Sequence, residues 1–180
     1  MNHRSRRRTS GSPCQADPVE AVYTASEKAR RDATPWTLVQ GVLAPIQFLI
    51  FGVSLFLVVR CLATGDGQQA AIASVVVKTI ALYIIMVTGS IWEKVVFGRW
   101  LFAPMFFWED VVSMLVLALH TAYLLSLAFG WMDDRALMLL ALAAYASYVV
   151  NAGQFVLKLR AARRGGVRED EAATWAEWAV

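Results

Sequence analysis

Residues 107–129 read FWEDVVSMLVLALHTAYLLSLAF. About 20 predominantly apolar residues are enough for a helix to cross the hydrocarbon of a bilayer. This stretch is apolar all round rather than along one stripe, which sets it apart from the amphipathic helix of a soluble domain. It opens on two carboxylates, Glu109 and Asp110, and holds His120 near its middle. Ionisable groups are costly beside hydrocarbon, so each marks a candidate functional position. Helical periodicity puts Glu109, Ser113, Val116 and His120 on one face. Glu109 and His120 are then about 16 Å apart along the axis, too far to touch but within reach of one large ligand.

Three further stretches have the same character. They are residues 36–62, with Gln40 and Gln47 on one face and Pro45 expected to kink the helix; residues 70–92, with Lys78 inside; and residues 136–157, with Asn151 and Gln154 near the end. The expected fold is an all-α integral membrane protein of four transmembrane helices. A polar, basic tail (1–33) precedes the membrane domain (34–160), and a charged tail (161–180) follows it. Within the first tail, residues 19–32 suit a short surface helix that starts near Thr24 or Ser26, and Pro35 suits the first turn of the next helix. Trp175 and Trp178 give the last tail the character of an interfacial helix. Residues 63–67 and 130–135 read as short turns, and no internal repeat is present.

Composition agrees with this class. The chain has 180 residues, 58% of them hydrophobic, a net charge of +3 and a positive mean hydropathy. Arginines cluster at residues 4–8 and again at Arg160, Arg163, Arg164 and Arg168. Both runs flank membrane spans, where anionic lipid and the positive-inside bias explain them without nucleic acid. Lys28, Arg30, Arg31, Lys94, Arg99, Lys158, Arg160, Arg163 and Arg164 fall on one side of the membrane, against Arg60 and Arg135 on the other. Both termini are therefore expected in the cytoplasm. The first span starts too far into the chain, and is too long, for a signal-peptide core, so it is expected to be retained. Cys14 and Cys61 offer neither a disulfide framework nor a zinc site.

The connection between the second and third spans, residues 91–110, reads IWEKVVFGRWLFAPMFFWED. It gathers Glu93, Glu109 and Asp110 with Trp92, Trp100, Phe107 and Trp108, and it is expected on the cytoplasmic face. Gln40, Asn151 and Gln154 lie at the same depth, and Gln47, Lys78 and His120 lie deeper. Polar groups from every span thus converge towards one end, where a bundle builds its sites. Each has a plainer role as well. Glu109 and Asp110 meet the positive end of a helix dipole, and Glu93 with Lys94 makes an interfacial pair. Lys78 snorkels, and His120 bonds to another helix. Gln40, Asn151 and Gln154 pack helices together, and the tryptophans form an aromatic belt.

Several strings in fixed order also resemble a known family. They are RRDATPWTLVQGVLAPIQFLIF (30–51), SVVVKT (74–79), IWEKVVFGRWLFAP (91–104), FFWED (106–110), ALHTAYL (118–124) and AAYASYVVNAGQF (143–155). Together they resemble the 3-vinyl (bacterio)chlorophyllide hydratases, also called 2-vinyl bacteriochlorophyllide hydratases. The likeness runs from about Arg30 to Arg160, and no catalytic residues come with it. It implies hydration of a C3-vinyl group to a 3-(1-hydroxyethyl) group in bacteriochlorophyll biosynthesis, with chlorophyllide or bacteriochlorophyllide as substrate.

Hydration of a vinyl group needs an acid for its terminal carbon and a base for the incoming water. Glu93 and Glu109 are the candidates, with Asp110 as substitute. His120 is an alternative proton carrier, or a ligand to the pigment's magnesium. The expected binding residues are Trp92, Trp100, Phe107 and Trp108 against the macrocycle, with Gln40, Lys78, Asn151 and Gln154. No cofactor is expected beyond the magnesium of the substrate, and the chain has neither a dinucleotide fingerprint nor a P-loop. The expected setting is a bacterial inner or photosynthetic intracytoplasmic membrane. The partners are lipid, pigment, and either a second copy of the chain or other pigment-synthesis enzymes. A non-catalytic pigment-binding or assembly factor would use the same aromatics and His120 without the acid–base pair. A small transporter or channel subunit with Lys78 and His120 on its path would call for repeats or discontinuous helices, and neither is evident apart from the Pro45 kink.

Overall fold

The computed structural model describes residues 23–178, with side chains given as far as residue 161. The arginines before residue 9, Cys14, and the side chains of Trp175 and Trp178 lie outside the described residues. Five helices follow in order: α1 (Ala25–Ala33), α2 (Pro35–Thr64), α3 (Gln68–Phe97), α4 (Phe107–Phe129) and α5 (Asp134–Trp178). Helices α2, α3, α4 and the Asp134–Ala161 part of α5 are each long and apolar enough to cross a membrane.

Helix α1 opens after Thr24, one of the two starts offered within residues 19–32, and residues 19–22 lie outside the described residues. Thr24 caps it, and the Thr24 and Glu27 side chains each bond the other's backbone N–H, a capping box. Arg30 then ties α1 to the end of α3 by donating to the Val96 carbonyl at 2.8 Å. Helix α2 continues through Pro45, which is exposed. The missing N–H there leaves only the Gly41 carbonyl without its helical donor. Gly65 and Gly67, both at positive φ, turn the chain between α2 and α3 in a conformation that costs other residues free energy.

The buried positions repeat at alternating steps of three and four. On α2 they are Gln47, Phe51, Ser54, Val58 and Cys61. On α4 they are Glu109, Ser113, Val116, His120 and Tyr123, with Asp110 and Ser126. On α5 Ala141, Ala144, Tyr145, Tyr148 and Asn151 continue the pattern. That spacing gives a narrow seam facing the bundle axis. The outer surface carries exposed Leu38, Leu49, Phe56, Val87 and Leu157. The bundle therefore keeps polar groups inside and apolar groups outside, the arrangement a lipid solvent rewards.

Helices α2 and α3 pack closely, as do α4 and α5, while α3 and α4 touch least among neighbours around the bundle. Hydrogen bonds fix the registers. Gln40 donates to Thr88, and the Ser54 hydroxyl bonds those of Ser74 and Tyr145, joining α2, α3 and α5. Tyr83 meets Thr121 across α3 and α4, and Asn151 donates to Ser113 across α5 and α4. Each such bond contributes about 0.6 kcal/mol, and up to ~1.7, in a membrane bundle. The α2–α3 register sets Lys78 level with Ile50, one turn from Gln47. The α4–α5 register sets Tyr148 level with Leu117.

Candidate active site

At the end of the bundle that carries the start of α2 and the end of α5, three buried carboxyl groups meet: Glu93, Glu109 and Asp110. The sequence pointed to Glu93 and Glu109 as partners, but the structure pairs them otherwise. The Glu109 carboxylate accepts from Lys158 Nζ at 2.8 Å, a bond made across 49 residues. Glu93 instead faces Asp110, near enough for the two carboxyl groups to act on each other. The reason lies in facing. Glu109 is on the side of α4 turned to α5, whereas Asp110, one residue and about 100° further round, is turned to α3.

The carboxyl pair is held by the loop between α3 and α4. Asp110 Oδ2 accepts the Phe102 N–H at 2.7 Å, and Glu93 Oε2 accepts the Ala103 N–H at 3.5 Å, a longer and weaker contact. Phe102 adopts φ 58°, a left-handed conformation costing a non-glycine residue about 1–2 kcal/mol. Backbone strain of this kind persists where surrounding contacts over-determine it, and here it turns the Phe102 N–H onto a carboxyl oxygen. Two buried carboxyl groups side by side disfavour double ionisation, which favours a proton held between them. With Lys158 as the neighbouring cation, one shared proton also limits the negative charge enclosed in this layer.

Two groups of aromatic rings flank the pair. Trp92, Phe97, Phe106 and Tyr23 form one, with centroids 5.7–6.4 Å apart, and Phe155 extends it. Trp92 Nε1 donates to Thr37. The second lies on the outside, where Phe102, Phe107 and Trp108 touch in sequence and are exposed, Trp108 to 70%. Trp100 is exposed as well, with Lys94 Nζ 6.0 Å from its ring. Of the four expected aromatics, then, Trp92 is built into the bundle end, while Trp100, Phe107 and Trp108 face outward beside the carboxyl pair.

The other expected residues divide by depth. Gln40 is taken up by Thr88, and Asn151 by Ser113, with Asn151 Oδ1 and Gln154 Oε1 left unpartnered. Deeper lie Lys78 and His120, both 0% exposed. Lys78 Nζ stands 3.6 Å from the centre of the Tyr148 ring and has no hydrogen-bond partner among the described residues. His120 Nδ1 contacts the Val116 carbonyl at 2.8 Å. A carbonyl only accepts, so Nδ1 carries the proton and Nε2, which is unpartnered, presents a lone pair. Sequence reasoning missed the Phe102 and Ala103 N–H groups, the Lys158 clamp, and Tyr145 and Tyr148. Only the tyrosines left a signal, the spacing of three that they share with Asn151.

A four-helix bundle with ionisable groups on its inner seam, an apolar outer surface and a cluster of carboxyl groups at one end is a multi-pass membrane protein. A family model described as 2-vinyl bacteriochlorophyllide hydratase matches residues 23–161. The chain belongs to that family. A 2-vinyl bacteriochlorophyllide hydratase of Rhodobacter capsulatus is 65% identical over 151 residues, covering 84% of this chain and 88% of the relative. One of Cereibacter sphaeroides is 63% identical over 148 residues, covering 82% and 92%. No solved structure matches.

Proposed function

We propose that this protein is a hydro-lyase that adds water across the vinyl group of a chlorophyllide-type pigment in bacteriochlorophyll biosynthesis. Membership of the hydratase family supports the reaction. The Glu93–Asp110 pair is the observation that carries the mechanism. The pair delivers its shared proton to the terminal vinyl carbon, and the double bond's electrons form the new C–H bond. The resulting cation lies on the carbon attached to the macrocycle, which delocalises it, and the two ionised carboxylates stabilise it at close range. Water attacks that carbon, and its released proton returns to the pair. The sum is one water added and the pair restored, with no redox partner or nucleotide consumed.

The substrate reaches the pair from the membrane. Helices α3 and α4 form the loosest seam of the bundle, and the seam's mouth is flanked by exposed Phe102, Phe107 and Trp108. These rings suit the face of a flat apolar macrocycle. The excess of Lys and Arg at this end supports an orientation with the carboxyl pair at the cytoplasmic face of a bacterial inner or photosynthetic intracytoplasmic membrane.

The test is expression in a host lacking the pathway, addition of vinyl chlorophyllide to the membranes, and mass spectrometry of the pigment. A gain of one water, labelled when the medium is H2(18)O, is the expected result. Pigment that co-purifies unchanged would sink the enzymatic reading and favour a binding factor.

A further inference from the structure

Asn151, Gln154 and Lys158 follow one another on α5 at steps of three and four, so they share the stripe turned to α4. The outer two are committed there. Lys158 Nζ donates to Glu109, and Asn151 Nδ2 donates to Ser113, each at 2.8 Å. Gln154 stands between them, and its Oε1 is buried with no hydrogen-bond partner among the described residues. Asn151 Oδ1 is in the same condition, on a residue only 8% exposed. Both atoms are amide oxygens, which only accept. Buried acceptors of this kind take their protons from protein or from ordered water. Counted from the two cross-helix bonds, Gln154 falls level with residues 110–113 of α4, and Asn151 falls level with Ser113. Ser113 is three residues beyond Asp110, about 4.5 Å of helix rise. Two unpartnered acceptors therefore lie within one turn of the carboxyl pair.

We infer that the amide oxygens of Asn151 and Gln154 hold the water molecule that is added to the vinyl group. This rests on the hydratase reading and deepens it by giving the second substrate a place. Residues three apart on a helix are neighbours, so one water can reach both oxygens and give a proton to each. Its own lone pairs are then left free, the form in which water acts as a nucleophile. Helix α5 packs on α2 and α4 and stands across the bundle from α3. A vinyl group entering between α3 and α4 thus meets Glu93 and Asp110 at the seam and the two amide oxygens further in. The pair protonates the terminal carbon, and the held water bonds to the cationic carbon next to the macrocycle. The new C–O bond draws the oxygen towards the pair, and one of its protons passes to the carboxylate that gave up the first. The new alcohol carbon carries hydrogen, methyl, hydroxyl and the macrocycle, so it is a stereocentre. Water held on the α5 side attacks one face of the planar cation and forms one configuration.

The experiment measures kcat, KM and the configuration of the product alcohol, resolved by chiral chromatography, with vinyl chlorophyllide in membranes. Wild type is compared with Gln154→Leu, Asn151→Leu and Glu93→Gln. Gln154→Leu removes one acceptor and breaks no side-chain hydrogen bond among the described residues, so the fold should tolerate it. Wild type should form a single configuration. Gln154→Leu should lower kcat on the order of tenfold or more, with KM within a few-fold of wild type, and give a mixture of configurations, because water that is not held reaches either face. Asn151→Leu should act in the same direction. Glu93→Gln should slow the reaction and keep the wild-type configuration in what product remains. A Gln154→Leu protein with wild-type kcat and configuration overturns the water site, even if Asn151→Leu fails to accumulate. So does a slower Gln154→Leu protein whose product stays in one configuration, a wild type that makes a mixture, or a Glu93→Gln protein that scrambles the configuration as well. If wild type hydrates no pigment, the hydratase reading itself fails. Hydration by wild type with Gln154→Leu unchanged removes only the water site.

Discussion

Replacing Glu93 with Gln is the sharpest probe of the carboxyl pair. The amide keeps the length and shape of the side chain. Its oxygen still accepts the Ala103 N–H, and its NH2 still faces Asp110, so the contacts that hold the bundle end persist. What disappears is the shared proton, because an amide cannot hand one to carbon and take one back from water. A positioned acid or base contributes about 10²–10⁴-fold to a rate, equivalent to about 3–5 kcal/mol of barrier. Glu93→Gln is therefore expected to lower kcat by that factor, with KM within a few-fold of wild type, because no contact to the macrocycle is lost. Asp110→Asn should match it, and the double variant should fall little further, since either change already ends the pair. The assay is initial-rate hydration of vinyl chlorophyllide in membranes, normalised to folded protein by gel filtration in detergent. If Glu93→Gln and Asp110→Asn both keep wild-type kcat, the pair is not the acid. If Glu109→Gln alone lowers kcat, the Lys158-clamped carboxylate is the proton carrier and the assignment has to be exchanged.

Lys158→Met leaves Glu109 buried and unpaired. It should cost about 2 kcal/mol by thermal unfolding in detergent, between the values for exposed and buried pairs, and adding Glu109→Gln should recover most of the loss. Phe102→Gly should be more stable than Phe102→Ala by about 1 kcal/mol, because the two share the loss of the ring and differ in the cost of positive φ. Equal stabilities would mean that the left-handed conformation is not kept in solution. Thr24→Ala removes the cap of α1 and should weaken its start by about 1 kcal/mol, read as faster amide exchange confined to α1. The Thr24 backbone N–H, and then its hydroxyl, hold the Glu27 carboxyl below the usual carboxylate range. The cap's contribution is therefore present at neutral pH, and should be lost as pH falls through that lowered value.

The four spans were legible because bilayer thickness sets a length and hydrocarbon sets a composition, and both are local properties of the chain. The α4 limits fell on Phe107 and Phe129 as read, while α3 ran on to Phe97, past the predicted end at Trp92. The overrun is physical, because the last turn of α3 carries Glu93 and Val96 on the buried seam and is held there by Arg30. The site was legible in part. That acids converge at one end follows from topology and needs no coordinates. Which acid meets which does not, because Glu109 and Asp110 differ by one residue and the choice depends on how α4 is rotated against α3 and α5. The Lys158 clamp spans 49 residues, and nothing local to either residue announces it. The outward turn of Trp100, Phe107 and Trp108 is set by the same rotation.

That rotation also decides between two roles offered for His120. Its Nε2 lone pair, fixed by the Nδ1–H bond to Val116, has the chemistry of a magnesium ligand. Its position argues otherwise. His120 lies ten residues beyond Asp110, about 15 Å along α4, and the vinyl of a chlorin stands less than half that distance from the central metal. A pigment whose magnesium is bound by His120 cannot present its vinyl to Glu93 and Asp110, so the two assignments exclude each other in any single pose. If the carboxyl pair is the acid, His120→Leu should change KM for the magnesium pigment and for its metal-free analogue by the same factor, since the residue then acts only through packing against Tyr145. A loss restricted to the magnesium pigment would show ligation at His120. It would also move the reacting vinyl into the middle of the bundle, beyond reach of the carboxyl pair, and the proton would have to come from another group.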